Sequence, residues 1–62
     1  MGLKLKIKRI EKGIKQKDLA KLVGVSYQYL SKLESDVATN PSNELMVRIA
    51  EILECQVQDI FF

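Results

Sequence analysis

The 62-residue chain contains no histidine, no tryptophan, a single cysteine, a single proline, and only four aromatic residues. Each shortage excludes something. Without histidine the chain lacks the commonest metal ligand and neutral-pH base, and Cys55 has neither a disulfide partner nor a zinc-binding companion. A small buried thiol is the expected state of Cys55, with a redox switch or a disulfide-linked dimer as the alternatives. There is no glycine-rich phosphate loop and no nucleophile beside a base, and the chain is too short to enclose a substrate cavity. No enzyme activity, metal, cofactor or small-molecule ligand is therefore expected. No stretch approaches the roughly 18 to 20 apolar residues of a membrane span, and no apolar leader core opens the chain. A cytoplasmic protein without membrane association is expected.

What is present describes a small folded domain. Hydrophobic residues make up 47% of the chain and charged residues 29%, a globular rather than disordered balance. Residues 1–62 allow one domain, whose stability must come from a closed helical core or from an oligomer. The net charge is only +2, but it is unevenly placed. Residues 1–32 carry nine lysines and arginines against Glu11 and Asp18, a balance of +7. Residues 33–62 carry Arg48 against Glu34, Asp36, Glu44, Glu51, Glu54 and Asp59, a balance of −5. A chain polarised in this way presents one side to polyanions and keeps the other away from them.

The organising stretch is QKDLAKLVGVSYQYLSKLE, residues 16–34. Leu19, Ala20, Leu22 and Val23 recur at helical spacing, Gly24 interrupts them, and Ser26 opens a second period through Leu30 and Leu33. Ala20 is small enough for the second helix to cross closely. Gly24 can adopt the positive φ that ends a helix, Val25 can drop into the core, and Ser26 can cap the next helix. This leaves Tyr27, Gln28, Ser31 and Lys32 outward, a face of phenol, amide, hydroxyl and ammonium groups suited to base edges and phosphates.

Upstream, Leu3, Ile7, Ile10 and Ile14 share one amphipathic stripe, with Leu5 and Arg9 on the other side. The alternation from Leu3 to Lys8 also fits a strand, but such a strand has no partner elsewhere and Gly13 supplies a helix stop. Downstream, Pro41 suits the first turn of a fourth helix capped by Asn40 or Ser42. Leu45, Ile49, Ile52 and Leu53, with Met46 beside them, form its apolar stripe.

Gln16, Ala20, Gly24, Val25, Ser26, Leu30, Leu33 and Glu34 together resemble the helix-turn-helix of the phage repressor/Cro (XRE) family of DNA-binding proteins. The EKGIKQKDLA run before the motif, the NPS opening of the fourth helix and the VQDIF ending extend the resemblance over nearly the whole chain. It implies an all-α, compact five-helix (lambda-repressor-like) DNA-binding domain, with the helix-turn-helix at 16–35 and a short last helix at about 57–61. The implied function is a sequence-specific transcriptional regulator, a repressor bound as a homodimer to an inverted repeat in double-stranded DNA. A protein-interaction module such as an antitoxin or adaptor is the alternative.

The resemblance also assigns residues. Tyr27, Gln28, Ser31 and Lys32 are base-reading candidates. Gln16, Lys15, Lys17, Tyr29, Lys4, Thr39, Asn40 and Asn43 are phosphate candidates. Arg9 and Glu34 are expected to pair, tying the first helix to the third, and Leu5 and Arg9 to be at least partly buried. Val57 and Ile60 of the short last helix are expected to face inward, and Ile60, Phe61 and Phe62 to form a two-fold contact, with folding back within the monomer as the alternative. The chain departs from the family pattern at Lys15 and Gln56, where a capping Ser or Thr is usual, and in the loop after Glu34, which lacks basic residues.

Overall fold

Five helices account for the regular structure of the computed structural model, which describes residues 2–37 and 40–62. They are α1 (Gly2–Glu11), α2 (Gln16–Val23), α3 (Tyr27–Glu34), α4 (Asn43–Ile52) and α5 (Val57–Phe61). Most of their ends follow from local chemistry. Ser26 Oγ accepts from the Tyr29 N–H at 3.0 Å to start α3, and Ser42 Oγ accepts from the Leu45 N–H at 3.1 Å to start α4. Gly24, at φ 78°, ends α2, and its N–H reaches the Ala20 carbonyl at 3.0 Å. Two ends differ from the sequence reading. Pro41 precedes the Ser42 cap and so lies outside the first turn of α4. The start of α5 is secured from inside the helix, because the Asp59 carboxylate accepts from the Gln56 N–H at 3.0 Å.

Every helix contributes to one core. Leu5, Leu19, Val23, Leu30, Leu33, Ile49, Leu53 and Ile60 are fully buried, and the small Ala20 and Ala50 lie where helices approach closely. α1 packs on α3 and α5, α2 on α3 and α4, and α4 on α5. The helix-turn-helix thus rests on a base made of the other three helices.

The orientation of α1 overturns the pattern seen in the sequence. Its apolar stripe faces solvent: Leu3 is 62% exposed, Ile7 47% and Ile10 58%, and only Ile14, beyond the helix, packs against the core. The buried side is Gly2, Leu5 and Arg9. Gly2 is required there by close approach, since a Cβ would collide with the carbonyl groups of Leu33 and Glu34 at the end of α3. The Gly2 N–H donates to Asp36 Oδ1 at 2.8 Å, and Asp36 takes the left-handed conformation, φ 59°, to turn the chain there. Leu22 on α2 is likewise exposed despite its helical spacing.

The chain end folds back within the monomer. Ile60 is fully buried and Phe61 is 5% exposed, so both belong to the monomer core rather than to an open two-fold surface. The reason is geometric: α5 lies between α1 and α4, and its inward residues fill the space they leave. Phe62, at 76% exposure, is the side chain of the three left in solvent.

The two faces of α1 should differ sharply on truncation. Leu5→Ala is expected to cost about 2–5 kcal/mol and Ile10→Ala within about 0.5 kcal/mol in urea unfolding. Equal costs would place the stripe, not Leu5, in the core.

Candidate nucleic-acid interface

The exposed side of α3 begins immediately after the turn. Tyr27 is 46% exposed, Gln28 and Lys32 are exposed, and Ser31 is half-buried. These side chains share a helix whose opposite face, Leu30 and Leu33, is locked in the core. Lys17, on α2, holds its ammonium 5.9 Å from the centre of the Tyr27 ring, so a cation–π contact links the two helices across the turn. Tyr29 differs from the others: it is half-buried and packs against the core.

At the C-terminal end of α3 lies a buried polar junction. Arg9 Nε donates to Glu34 Oε2 at 2.7 Å and Arg9 Nη2 to Oε1 at 3.1 Å, a bidentate pair between the first and third helices. The Gln16 side-chain amide, from α2, donates to the same Oε1 at 3.0 Å. Arg9 Nη1 donates to the Ile14 carbonyl at 2.9 Å. The carboxylate retains only 2% of its exposure and the guanidinium 11%, so each charge depends on the other for compensation. Gln16, a phosphate candidate, therefore has one amide proton committed to Glu34, which holds the side chain in place at the start of α2.

The remaining candidates are dispersed. Lys15 occupies the N-cap of α2 with extended backbone and no capping bond from its side chain. Asn40 and Asn43 are exposed before and at the start of α4, while Thr39 lies outside the described residues. Lys4 is not gathered with this group, since its ammonium donates to the Phe62 carbonyl at 2.8 Å on the α1–α5 side.

Arg48 is a contributor that the sequence reading did not single out. Its Nη1 donates to the Val23 carbonyl at 3.1 Å, the open end of α2, and its Nη2 to Glu44 Oε1 at 2.9 Å. It thereby ties α4 to the helix-turn-helix. The Glu44–Arg48 spacing of four on one helix was the available signal.

Cys55 is half-buried beside an open depression of about 490 Å³ lined in part by Lys8, Glu51 and Asp59. Burial pushes its thiol above the ordinary value, against the opposing pull of Lys8. Among the described residues no group of three metal-ligating side chains occurs, and no helix is long and apolar enough to cross a membrane.

Comparison with known proteins agrees with this geometry. The model of the family described as helix-turn-helix matches residues 5–60. The HTH-type transcriptional regulator SinR of Bacillus subtilis (strain 168) is 33% identical over 60 residues, covering 97% of this chain and 54% of that protein. SlrR of the same organism, also an HTH-type transcriptional regulator, is 36% identical over 61 residues, covering 98% of this chain and 40% of that protein. The chain thus spans about half the length of these relatives, or less. The crystal structure of SinR in complex with DNA superimposes with a TM-score of 0.89 at 33% identity, over 98% of this chain and 100% of that one.

Two outcomes follow from the buried groups. Glu34→Gln is expected to destabilise by about 3–5 kcal/mol, because Arg9 keeps its charge and loses its partner, while Arg9→Met with Glu34→Leu together recovers most of the loss in urea unfolding. A thiol reagent should alkylate Cys55 more slowly than free cysteine at pH 8, with the rate still climbing at higher pH, because a raised thiol holds less thiolate. A rate equal to free cysteine would mean the thiol is not perturbed.

Proposed function

The chain belongs to the phage repressor/Cro (XRE) family of helix-turn-helix proteins, and on that premise we propose that it is a sequence-specific, double-stranded-DNA-binding transcriptional regulator. The reading is of a repressor that occupies an inverted-repeat operator as a homodimer. The observation that carries it is the exposed side of α3, whose last residue, Glu34, is held by Arg9 and Gln16. The SinR–DNA structure, in which the matching domain is that of a DNA-bound protein, supports the same reading.

In this proposal α3 enters the major groove with its N-terminal end foremost, and α2 lies across the phosphate backbone. Gln28 is the principal reader, since a side-chain amide can donate to adenine N7 and accept from N6 together. Lys32, one turn further along, reaches guanine O6 and N7 or a phosphate. Tyr27 offers its ring edge to a thymine methyl, with Lys17 bracing it from α2. Ser31 lies between Gln28 and Lys32 and can serve either base edge. Gln16, Lys15, Lys17, Tyr29, Asn40 and Asn43 supply phosphate contacts that fix register without reading sequence.

One such domain spans too few base pairs to mark a unique site. Two copies on half-sites about 34 Å apart resolve this, and the operator is then an inverted repeat. With Ile60 and Phe61 in the core, Phe62 is the terminal side chain able to reach a second copy. The chemistry is binding, with exclusion of polymerase as its consequence, and involves no catalysis.

The test is selection of bound sequences from random duplex DNA, with Gln28→Ala run beside the wild type. A palindromic consensus is expected. The variant should lose preference at one base pair in each half-site, worth about 1–3 kcal/mol of discrimination. Binding that follows salt alone, without any consensus, would sink the proposal.

A further inference from the structure

The sequence stripe that the fold leaves outside is the feature the DNA-reading function does not use. Leu3, Ile7 and Ile10 lie within about 60° of one another around α1, and all three are about half exposed or more. Lys6 borders them on one side and Lys4 and Lys8 on the other. Glu11, on that second side, is 3.6 Å from the Lys8 ammonium. The opposite face of α1 carries Leu5 and Arg9 into the core and onto α3, so the stripe points away from the α3 reading face. Three aliphatic side chains at i, i+4 and i+7 on an ordered helix are the spacing by which one amphipathic helix engages another.

We propose that the exposed face of α1 is a docking site for an acidic amphipathic helix of a partner protein. The partner's apolar side chains seat on Leu3, Ile7 and Ile10, and its flanking carboxylates meet Lys6 and Lys8. Charge complementarity selects this occupant. A second copy placed on the same face sets ammonium groups against ammonium groups. A lipid surface is poorly matched by three aliphatic residues without an aromatic among them, held in a folded domain. Because the docking and reading faces are separate, the partner binds the DNA-bound form as well as the free one.

The test is an NMR titration of the full chain with a synthetic amphipathic helix of about 18 residues, leucine-striped and glutamate-flanked, compared with the same helix flanked by lysine. Saturable shifts at Leu3, Ile7 and Ile10 are expected, with Gln28 and Ser31 unmoved and with binding retained on a duplex-bound chain. Ile7→Glu should weaken binding about tenfold or more, and Lys6→Glu with Lys8→Glu should transfer preference to the lysine-flanked helix. Thermal melts of these exposed-site variants verify that the fold is intact. Four outcomes overturn the proposal: shifts centred on Gln28 and Ser31, equal binding of both helices, absorption only to phosphatidylglycerol vesicles, or a dimer in sedimentation equilibrium that Ile7→Glu abolishes while the peptide fails to bind.

Discussion

The buried pair of Arg9 and Glu34 is the constraint on which the arrangement of this molecule depends. A guanidinium and a carboxylate withdrawn from water each carry a desolvation cost of several kcal/mol, which is offset only when geometry and hydrogen bonding are nearly complete. Here the fork of Arg9 grips both carboxylate oxygens and its remaining nitrogen meets the Ile14 carbonyl. The requirement reaches three helices. It brings the Arg9 side of α1 inward and sets the end of α3 against it. Through Gln16 it fixes the start of α2 relative to both. A lysine in place of Arg9 could not reproduce the planar fork.

A second set of contacts controls the turn itself. Ala20 lets α3 cross close to α2, Gly24 takes the left-handed conformation that ends α2, and Arg48 reaches from α4 to the last carbonyl of that helix. The turn is thus held from below by packing and from the side by a charged hydrogen bond. A helix so supported presents Tyr27 and Gln28 in a defined direction, as the proposed base reading requires.

The charge asymmetry along the chain becomes a spatial arrangement only in part. Lys12, from the basic half, pairs with Glu54, from the acidic half, at 2.9 Å. Lys4 is bound to the carbonyl of Phe62 at the far end of the chain. These contacts place Lys4 and Lys12 on the side where α4 and α5 pack, while Lys32 lies on α3 itself and Lys17 reaches its Tyr27 ring. A count of charges by sequence half therefore overstates the positive field at α3.

Features that depend on neighbours in sequence were legible without the fold. The helix-turn-helix could be read from Ala20, Gly24 and Ser26, because capping, positive φ and close approach are properties of a few adjacent residues. The end of α2 at Gly24 and the start of α3 at Ser26 followed from the same kind of signal, whereas the bounds of α5 came from the family resemblance. The rotation of each helix about its axis was decided only by tertiary structure. In α1 both faces satisfy helical periodicity, and the more apolar one lies outside, because the close approach of Gly2 to α3 and the reach of Arg9 to Glu34 act over 30 or so residues of separation. The ends of the core were decided in the same way. Ile60 and Phe61 turn inward, and Phe62 outward, where α5 packs on α1 and α4. The sequence by itself determined which segments are helical and where they turn, since those choices are made within a few residues. Which faces are buried required contacts between distant segments, and periodicity carries no information about those.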